Sequence, residues 1–246
     1  MDSVLPHVYL SDIDKERFAI ETARAPEVTI ETLQSVLDFC YEHTVQLLIA
    51  RCNASDLKTV QAMESNGFFL TDTLLYYQCD ILTTPAARNV PHINISPVHP
   101  GEEDMVKNMG YEAFRGYIGH YHADPKLDRQ KCDEAYASWA YRSCIRKDIA
   151  DQVLVAKQDG SLKGFIVLKM HKPEEGQLVL NAVHPEAQGS GVYSALVSAA
   201  KEWCFQQGAK RITTSTHLPN IAVQKVWARH GFWLTHADCT FHKWFD

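Results

Sequence analysis

The chain has 246 residues, 46% of them hydrophobic and 22% charged, with a formal net charge of −6. That is enough apolar material for a real core, in one large or two small domains. The mixed, mildly acidic charge excludes a basic field that would recruit nucleic acid or anionic lipid, and no apolar run approaches the roughly 20 residues of a membrane span.

In chain order, residues 15–25 read as a strand around Phe18–Thr22. Thr29 and Thr32 then flank a helix start, with Leu33, Val36, Leu37 and Cys40 on one face. Residues 45–50 form a short buried strand, and Asn66-Gly67 ends a helix over 56–65. Residues 68–81 read as a long strand. Three prolines in 83–97 exclude a helix there and predict a linker running into an edge strand.

Helices are expected over about 102–115 and 129–147, separated by a polar, aromatic loop from Gly116 to Pro125. Strands follow near 152–157, 163–171 and 176–183, the first two joined by a hairpin at Asp159-Gly160. The chain closes with helix 190–207, strand 210–216, helix 220–229 and strand 231–245. The organisation predicted is a small α/β domain over 1–83, a linker and first edge strand over 84–97, and a larger domain over 98–246.

One stretch repeats. Gly67-Phe68-Phe69-Leu70-Thr71 corresponds to Gly231-Phe232-Trp233-Leu234-Thr235, an offset of 164. Carried backwards, that offset pairs Asp56 with Asn220 and residues 47–50 with 211–214. The N-terminal domain therefore reads as a copy of the end of the larger domain. It lacks a Gly-x-Gly turn and is expected to bind no cofactor.

The chemistry concentrates at Val183-His184-Pro185-Glu186-Ala187-Gln188-Gly189-Ser190-Gly191-Val192-Tyr193. A strand feeds a glycine turn, and the turn opens a helix. Glycines let an anion approach the backbone closely, and the first helical N–H groups have no intrahelical partner. With the helix dipole this makes a pyrophosphate pocket, although a strand-to-helix turn can also need glycine for its shape alone. A P-loop would need Lys and Ser/Thr after the second glycine, where Val192-Tyr193 stand. A dinucleotide fingerprint would need a third small residue where Ser194 stands.

Val183-x-Pro185 with Gln188-x-x-Gly191, followed by Asn220 at a helix start and by Gly231-Phe232, resembles the coenzyme A signature of the GNAT acyltransferases. The resemblance implies a mixed central α/β sheet flanked by helices, the GNAT fold, preceded here by a smaller GNAT-like α/β half-domain. It implies coenzyme A as the acyl carrier. Gln188, Gly189, Ser190, Gly191, Val192 and Tyr193 would take the pyrophosphate, Asn181, Ala182 and Val183 the acyl arm, and Asn220 the pantetheine. Tyr193 departs from the family's small residue, and its side chain is expected to point off the helix, away from the phosphates. Over nearly its whole length the chain is similar to the bimodular sugar-nucleotide N-acyltransferases of dTDP-4-amino-4,6-dideoxygalactose and dTDP-3-amino-3,6-dideoxyhexoses. What that implies is transfer of an acetyl or 3-hydroxybutanoyl group from acyl-CoA to the amine of a dTDP-linked 3- or 4-amino-dideoxyhexose, for surface-polysaccharide synthesis. Other GNAT reactions, on an aminoglycoside or a protein N-terminus, stay open, as does a non-catalytic acyl-CoA-binding protein.

A second departure is Trp227. Many family members carry a tyrosine there that protonates the leaving thiolate, whereas an indole N–H is no proton-transfer acid near neutral pH. Trp227 is expected to pack, on one apolar face with Val223 and Val226. Candidate bases are His217, at the end of a strand, and His120 and His122, in the aromatic loop. Hydrogen bonding to a ligand, or a plain surface position, is the favoured reading for each. Tyr117 and Tyr121 could stack on thymine, and Arg129 could pair with the diphosphate. Twelve histidines raise a metal hypothesis, but His120-x-His122 has no partner spacing, so no metal is expected. Seven scattered cysteines without a C-x-x-C pair, and an N-terminus without a signal-like pattern, predict a cytoplasmic protein. The sequence fixes no oligomeric state, and a homodimer is compatible with it.

Overall fold

Helix α2 (Leu33–Glu42) buries Leu33, Val36, Leu37 and Cys40, the apolar face that its spacing predicts. Helix α3 (Leu57–Ser65) starts where the Asp56 carboxylate accepts from the Thr59 N–H. The computed structural model describes residues 7–81 and 92–245. Most of the expected linker lies outside the described residues.

The chain divides into two units. Unit 1 takes the N-terminal part through Leu75, together with Ile118–Cys132 and the C-terminal part from His236. Unit 2 takes Tyr76–Tyr117 and Asp133–Thr235. These units are discontinuous in sequence, unlike the contiguous cuts at 83 and 97.

In unit 1, strands β1 (Tyr9–Leu10), β2 (Thr22–Ala25), β3 (Leu47–Asn53) and the end of β10 (Trp233–Trp244) lie side by side. β2 and β3 are parallel, whereas β3 and β10 are antiparallel from Asn53↔Asp238 to Leu47↔Trp244. The strand expected around Phe18 is instead helix α1 (Asp12–Phe18), ended by Ala19 in the left-handed region. Acidic Asp12 and Asp14 in its first turn suit the helix N-terminus. The unit's core joins Val36, Leu48, Ala50, Met63, Phe68 and Phe241.

In unit 2, β5 (Asn94–Pro97), β6 (Gln152–Gln158), β7 (Ser161–Lys172) and β8 (Glu175–Val183) run antiparallel in turn. β9 (Arg211–His217) joins β8 in parallel, so the sheet is mixed. One face packs on helix α6 (Val192–Gln206) through Leu154, Ile166, Leu168 and Leu178. The other packs on helices α4 (Glu103–Phe114) and α5 (Arg129–Ile145), through Val153, Val155, Phe165, Val167 and Leu180. Only the part of α5 from Asp133 belongs to this unit.

Leu178 and Leu180 thus serve opposite faces, which a regular strand forbids. The register explains it: Leu168 pairs with Leu178 and Val167 with Leu180, leaving Val179 as a bulge. Beyond the bulge every side chain of β8 changes face.

The internal repeat holds at the level of elements. The offset of 164 maps β3 onto β9, α3 onto α7 (Ile221–Arg229), and β4 (Phe69–Asp80) onto β10, end for end. Yet the last strands are exchanged. β10, from the second copy, pairs with β3 of the first in unit 1. The end of β4, from the first copy, lies in unit 2, where Asp80 ion-pairs with Arg211 and the Ile81 N–H donates to the Lys210 carbonyl.

Candidate active site

Strand β8 parts from β9 at its bulge. Its parallel pairing with β9 stops at Leu178↔Thr214, although β8 runs on to Val183 and β9 to His217. Asn181, Ala182 and Val183 keep their pairing with β7 on the other side. Their edge towards β9 borders a cavity of about 640 Å³ lined by Asn181–Val183, Gln188, Gly189, Gly191–Ser194 and Asn220.

After β8 the chain makes a 3₁₀ turn (Pro185–Ala187), started by His184, whose Nδ1 accepts from the Glu186 N–H. Gly189 and Gly191 both take positive φ, 78° and 90°. At Gly189 a Cβ would meet nothing within 4 Å, so this glycine answers to backbone conformation and leaves open space beside it. Gly191 is the N-cap of α6 and provides no side-chain cap. The N–H groups of Gly189, Gly191, Val192 and Tyr193 therefore have no acceptor among the described residues. Four unpartnered donors at the positive end of a fifteen-residue helix form an anion-binding nest.

Ser190 is turned away from that role. Its N–H and hydroxyl both donate to the Ala187 carbonyl, at 3.4 and 2.6 Å. The Gln188 N–H donates to Pro185, so only its side chain faces the cavity's needs. Asn220 caps α7 from outside. Its amide donates to Thr216 Oγ1 at 3.0 Å, which leaves the side-chain carbonyl as an acceptor on the cavity wall.

Tyr193 also lines the cavity, and its hydroxyl accepts a 2.8 Å hydrogen bond from Trp227 Nε1. Trp227 is fully buried and packs against Tyr77 and Phe232, so it is a core residue as its spacing predicts. Burial pushes the Tyr193 phenol well above its usual pKa, and the indole hydrogen bond pulls the other way.

The candidates for the acceptor side divide between the units. Tyr117 lines the cavity in unit 2, edge-on to His217 at 5.0 Å and to Tyr136 at 5.5 Å. His217 itself is nearly buried at the end of β9. His120, Tyr121, His122 and Arg129 belong to unit 1. There the Tyr121 hydroxyl donates to Asp14 Oδ1 and accepts from Arg24, both at 2.5 Å, and its ring packs on Phe18. That ring is core, not a platform held out to a base. Arg129 donates to the His122 carbonyl.

His120 stands at the end of a buried chain. Asp124 Oδ2 accepts from His242 Nδ1 at 2.7 Å and from Trp244 Nε1 at 3.0 Å, and His242 Nε2 meets His120 Nδ1 at 3.0 Å. Burial raises the Asp124 pKa, but the hydrogen bonds from His242, Lys126 and Trp244 outweigh it and hold the carboxyl below its usual value. An ionised Asp124 only accepts, so His242 Nδ1 is the donor of their hydrogen bond.

Eight cavity residues were not among the sequence candidates for the site: Ala113 and Phe114 at the end of α4, Ala187, Ser194, and Ala222, Val223, Val226 and Arg229 on α7. A signal for Arg229 existed, because Ala222, Val226 and Arg229 recur at helical spacing on one face of α7. Among the described residues no group of three or more His, Cys, Asp or Glu side chains is placed to hold a metal ion. No helix among them is long and apolar enough to cross a membrane.

Comparison with known proteins places this geometry. Residues 113–232 match the model of the Acetyltransferase (GNAT) family. A spore coat polysaccharide biosynthesis protein of Bacillus subtilis (strain 168), SpsD, is 23% identical over 154 residues, 63% of this chain. The match covers only 52% of SpsD. A GCN5-related N-acetyltransferase from Sphaerobacter thermophilus superposes with a TM-score of 0.65 at 14% identity, covering 91% of this chain and 72% of that one. A tandem GNAT protein from the clavulanic acid biosynthesis pathway gives 0.61, also at 14%, covering 91% and 75%. The fold is the GNAT fold, and residues 113–232 are similar to the GNAT acetyltransferase family.

Proposed function

We propose that this protein transfers an acetyl or other short acyl group from acyl-CoA to the amine of a nucleotide-linked amino sugar. The observation that carries the reading is the row of four unpartnered N–H groups, on Gly189, Gly191, Val192 and Tyr193, opening onto a cavity whose far wall is the unpaired edge of β8. A pyrophosphate fits the first, and a pantetheine arm carrying amides fits the second. The Asn220 side-chain carbonyl adds an acceptor for a pantetheine N–H. The family's acyl donor is acetyl-CoA.

The reaction is aminolysis of a thioester, and the protein's part is placement and electrostatics. Backbone N–H groups at Asn181–Val183 would face the developing oxyanion, and one such donor typically contributes roughly 3 kcal/mol. Alignment of a neutral amine with the thioester can supply about 7–11 kcal/mol in effective molarity. The sugar acceptor is favoured by the likeness to a polysaccharide biosynthesis protein. The dTDP group and the position of the amine, 3 or 4, rest on the resemblance in sequence. Seven free cysteines accord with work in a reducing compartment such as the cytoplasm.

Calorimetry with acetyl-CoA, then thiol release on adding dTDP-4-amino-4,6-dideoxygalactose or dTDP-3-amino-3,6-dideoxygalactose, tests the reading. Saturable binding and acceptor-dependent thiol release are expected. No acetyl-CoA binding at millimolar concentration would refute it. Binding without thiol release for any amine would favour an acyl-CoA-binding protein.

A further inference from the structure

Thioester aminolysis needs a proton for the departing sulfur. The polar side chains on the cavity wall are Tyr117, Asn181, Gln188, Tyr193, Ser194, Asn220 and Arg229. Amides do not titrate, and an arginine does not give up its proton in proteins. The Ser194 hydroxyl is engaged with His230 Nε2 at 2.7 Å. Tyr117 is set edge-on among Phe114, Tyr136 and His217. Tyr193 differs from all of these. It sits in the first turn of α6, and its hydroxyl oxygen accepts from Trp227 Nε1 at 2.8 Å. Its own O–H has no acceptor among the described residues.

A phenol that accepts one hydrogen bond and keeps its proton uncommitted, at a cavity wall, is loaded as a donor. We propose that Tyr193 is the catalytic acid of the acyl transfer and that Trp227 is the positioning residue that holds it. The inference rests on the acyltransferase reading above. The amine nitrogen bonds to the thioester carbonyl carbon, the carbon–sulfur bond breaks, and the Tyr193 O–H proton passes to sulfur to give the free thiol. The phenolate is refilled by the proton that the attacking nitrogen must lose, directly or through water. Burial works against the phenolate in between, and two features offset part of that cost: the indole N–H already aimed at its oxygen, and the positive end of α6. Trp227 therefore does more than fill the core. It cannot donate a proton itself, but it orients and stabilises a neighbour that can.

The experiment uses the full chain with acetyl-CoA and dTDP-4-amino-4,6-dideoxygalactose, following thiol release and acetyl-CoA affinity together. Tyr193→Phe keeps the ring and the backbone N–H that faces the pyrophosphate. It should lower kcat by about a hundredfold, at the low end of general acid–base effects, with acetyl-CoA affinity and KM within twofold. A solvent deuterium isotope effect on kcat should be present in the wild type and altered in the variant, which a purely packing role would not produce. A kcat within threefold of wild type overturns the assignment. If Tyr193→Phe loses its fold or its acetyl-CoA binding, Trp227→Phe decides, because it keeps the phenol and removes its hydrogen bond. About a tenfold fall in kcat at unchanged affinity supports the pair, and kcat within twofold of wild type overturns it. Wild-type turnover with unaffected variants sinks only this inference. Wild-type protein that releases no thiol with this acceptor or with the 3-amino isomer sinks it together with the acyltransferase reading.

Discussion

At the scale of single residues, Gly191 is the sharpest test of the proposed cofactor site. Its φ of 90° is a conformation that L side chains rarely adopt. Gly191→Val would place a branched side chain beside the anion nest and strain the backbone as well. A loss of acetyl-CoA affinity of at least tenfold is expected by calorimetry, along with a lower melting temperature. Unchanged affinity would remove the nest from the site. Trp227→Ala should lower stability by about 3–5 kcal/mol, because the side chain is fully buried; urea unfolding measures it. The glycines and Asn220 were legible in the sequence because one local segment carries each. The Tyr193–Trp227 contact was not. Only the packing of α7 against α6 brings the two rings to a hydrogen bond, 34 residues apart. Likewise Asp124 and His242 are 118 residues apart, so no spacing rule could join them.

At the scale of elements, β8 parts from β9 beyond its bulge, and there it lies close to Gly164 of β7 on its other edge. A Cβ at Gly164 would lie 2.8 Å from the Ala182 carbonyl and 3.1 Å from a methyl of Leu196. Gly164→Ala must therefore push β8 away from β7, and overpacking of this kind typically costs about 1–3 kcal/mol. Both the melting temperature and the acetyl-CoA affinity should fall. A variant as stable as wild type with full affinity would show that β8 is not held by this contact. The strands and helices of unit 2 could be read from periodicity almost residue by residue. The bulge could not, because Leu178 and Leu180 look like one face of a regular strand. Helix α1 was missed for a related reason: seven residues are too few for a convincing period, and its cap lies in Ser11, whose hydroxyl donates to Asp14.

At the scale of the whole molecule, the buried Asp14–Arg24 pair makes stability depend on pH. Burial acts to raise the Asp14 pKa, but the Arg24 hydrogen bond and charge, with Ser11 and Tyr121, hold it below the ordinary 3.8. A depressed carboxyl contributes its full stability above the unfolded-state pKa and loses it as pH falls through the folded value. Stability measured by urea unfolding should therefore drop steeply below about pH 4, and Asp14→Asn should flatten that part of the curve. The same slope in wild type and variant would exclude Asp14 as the source. Truncation tests the division into units. A piece spanning residues 84–246 lacks β3, which pairs with β10 from Asn53↔Asp238 to Leu47↔Trp244. The freed edge should make that piece aggregate, as size-exclusion chromatography would show. A monomeric, fully active 84–246 would mean that the exchange of strands is dispensable. The repeat at an offset of 164 was visible in five residues, yet the exchange was not, because repetition says which elements recur and nothing about which copy pairs with which.

That exchange also sets the order in which the protein can be made. Arg51 and Thr240, hydrogen-bonded across β3 and β10, are 189 residues apart in sequence. On a ribosome the first copy of the repeat emerges well before the strand that completes its sheet. Until β10 emerges, β3 presents an open edge, and the sheet begun by the first copy stays incomplete. Contacts at such separation slow folding and favour chaperone capture of nascent chains. A stop codon placed just before β10 would therefore be felt at the opposite end of the chain, in the burial of α2 against β3.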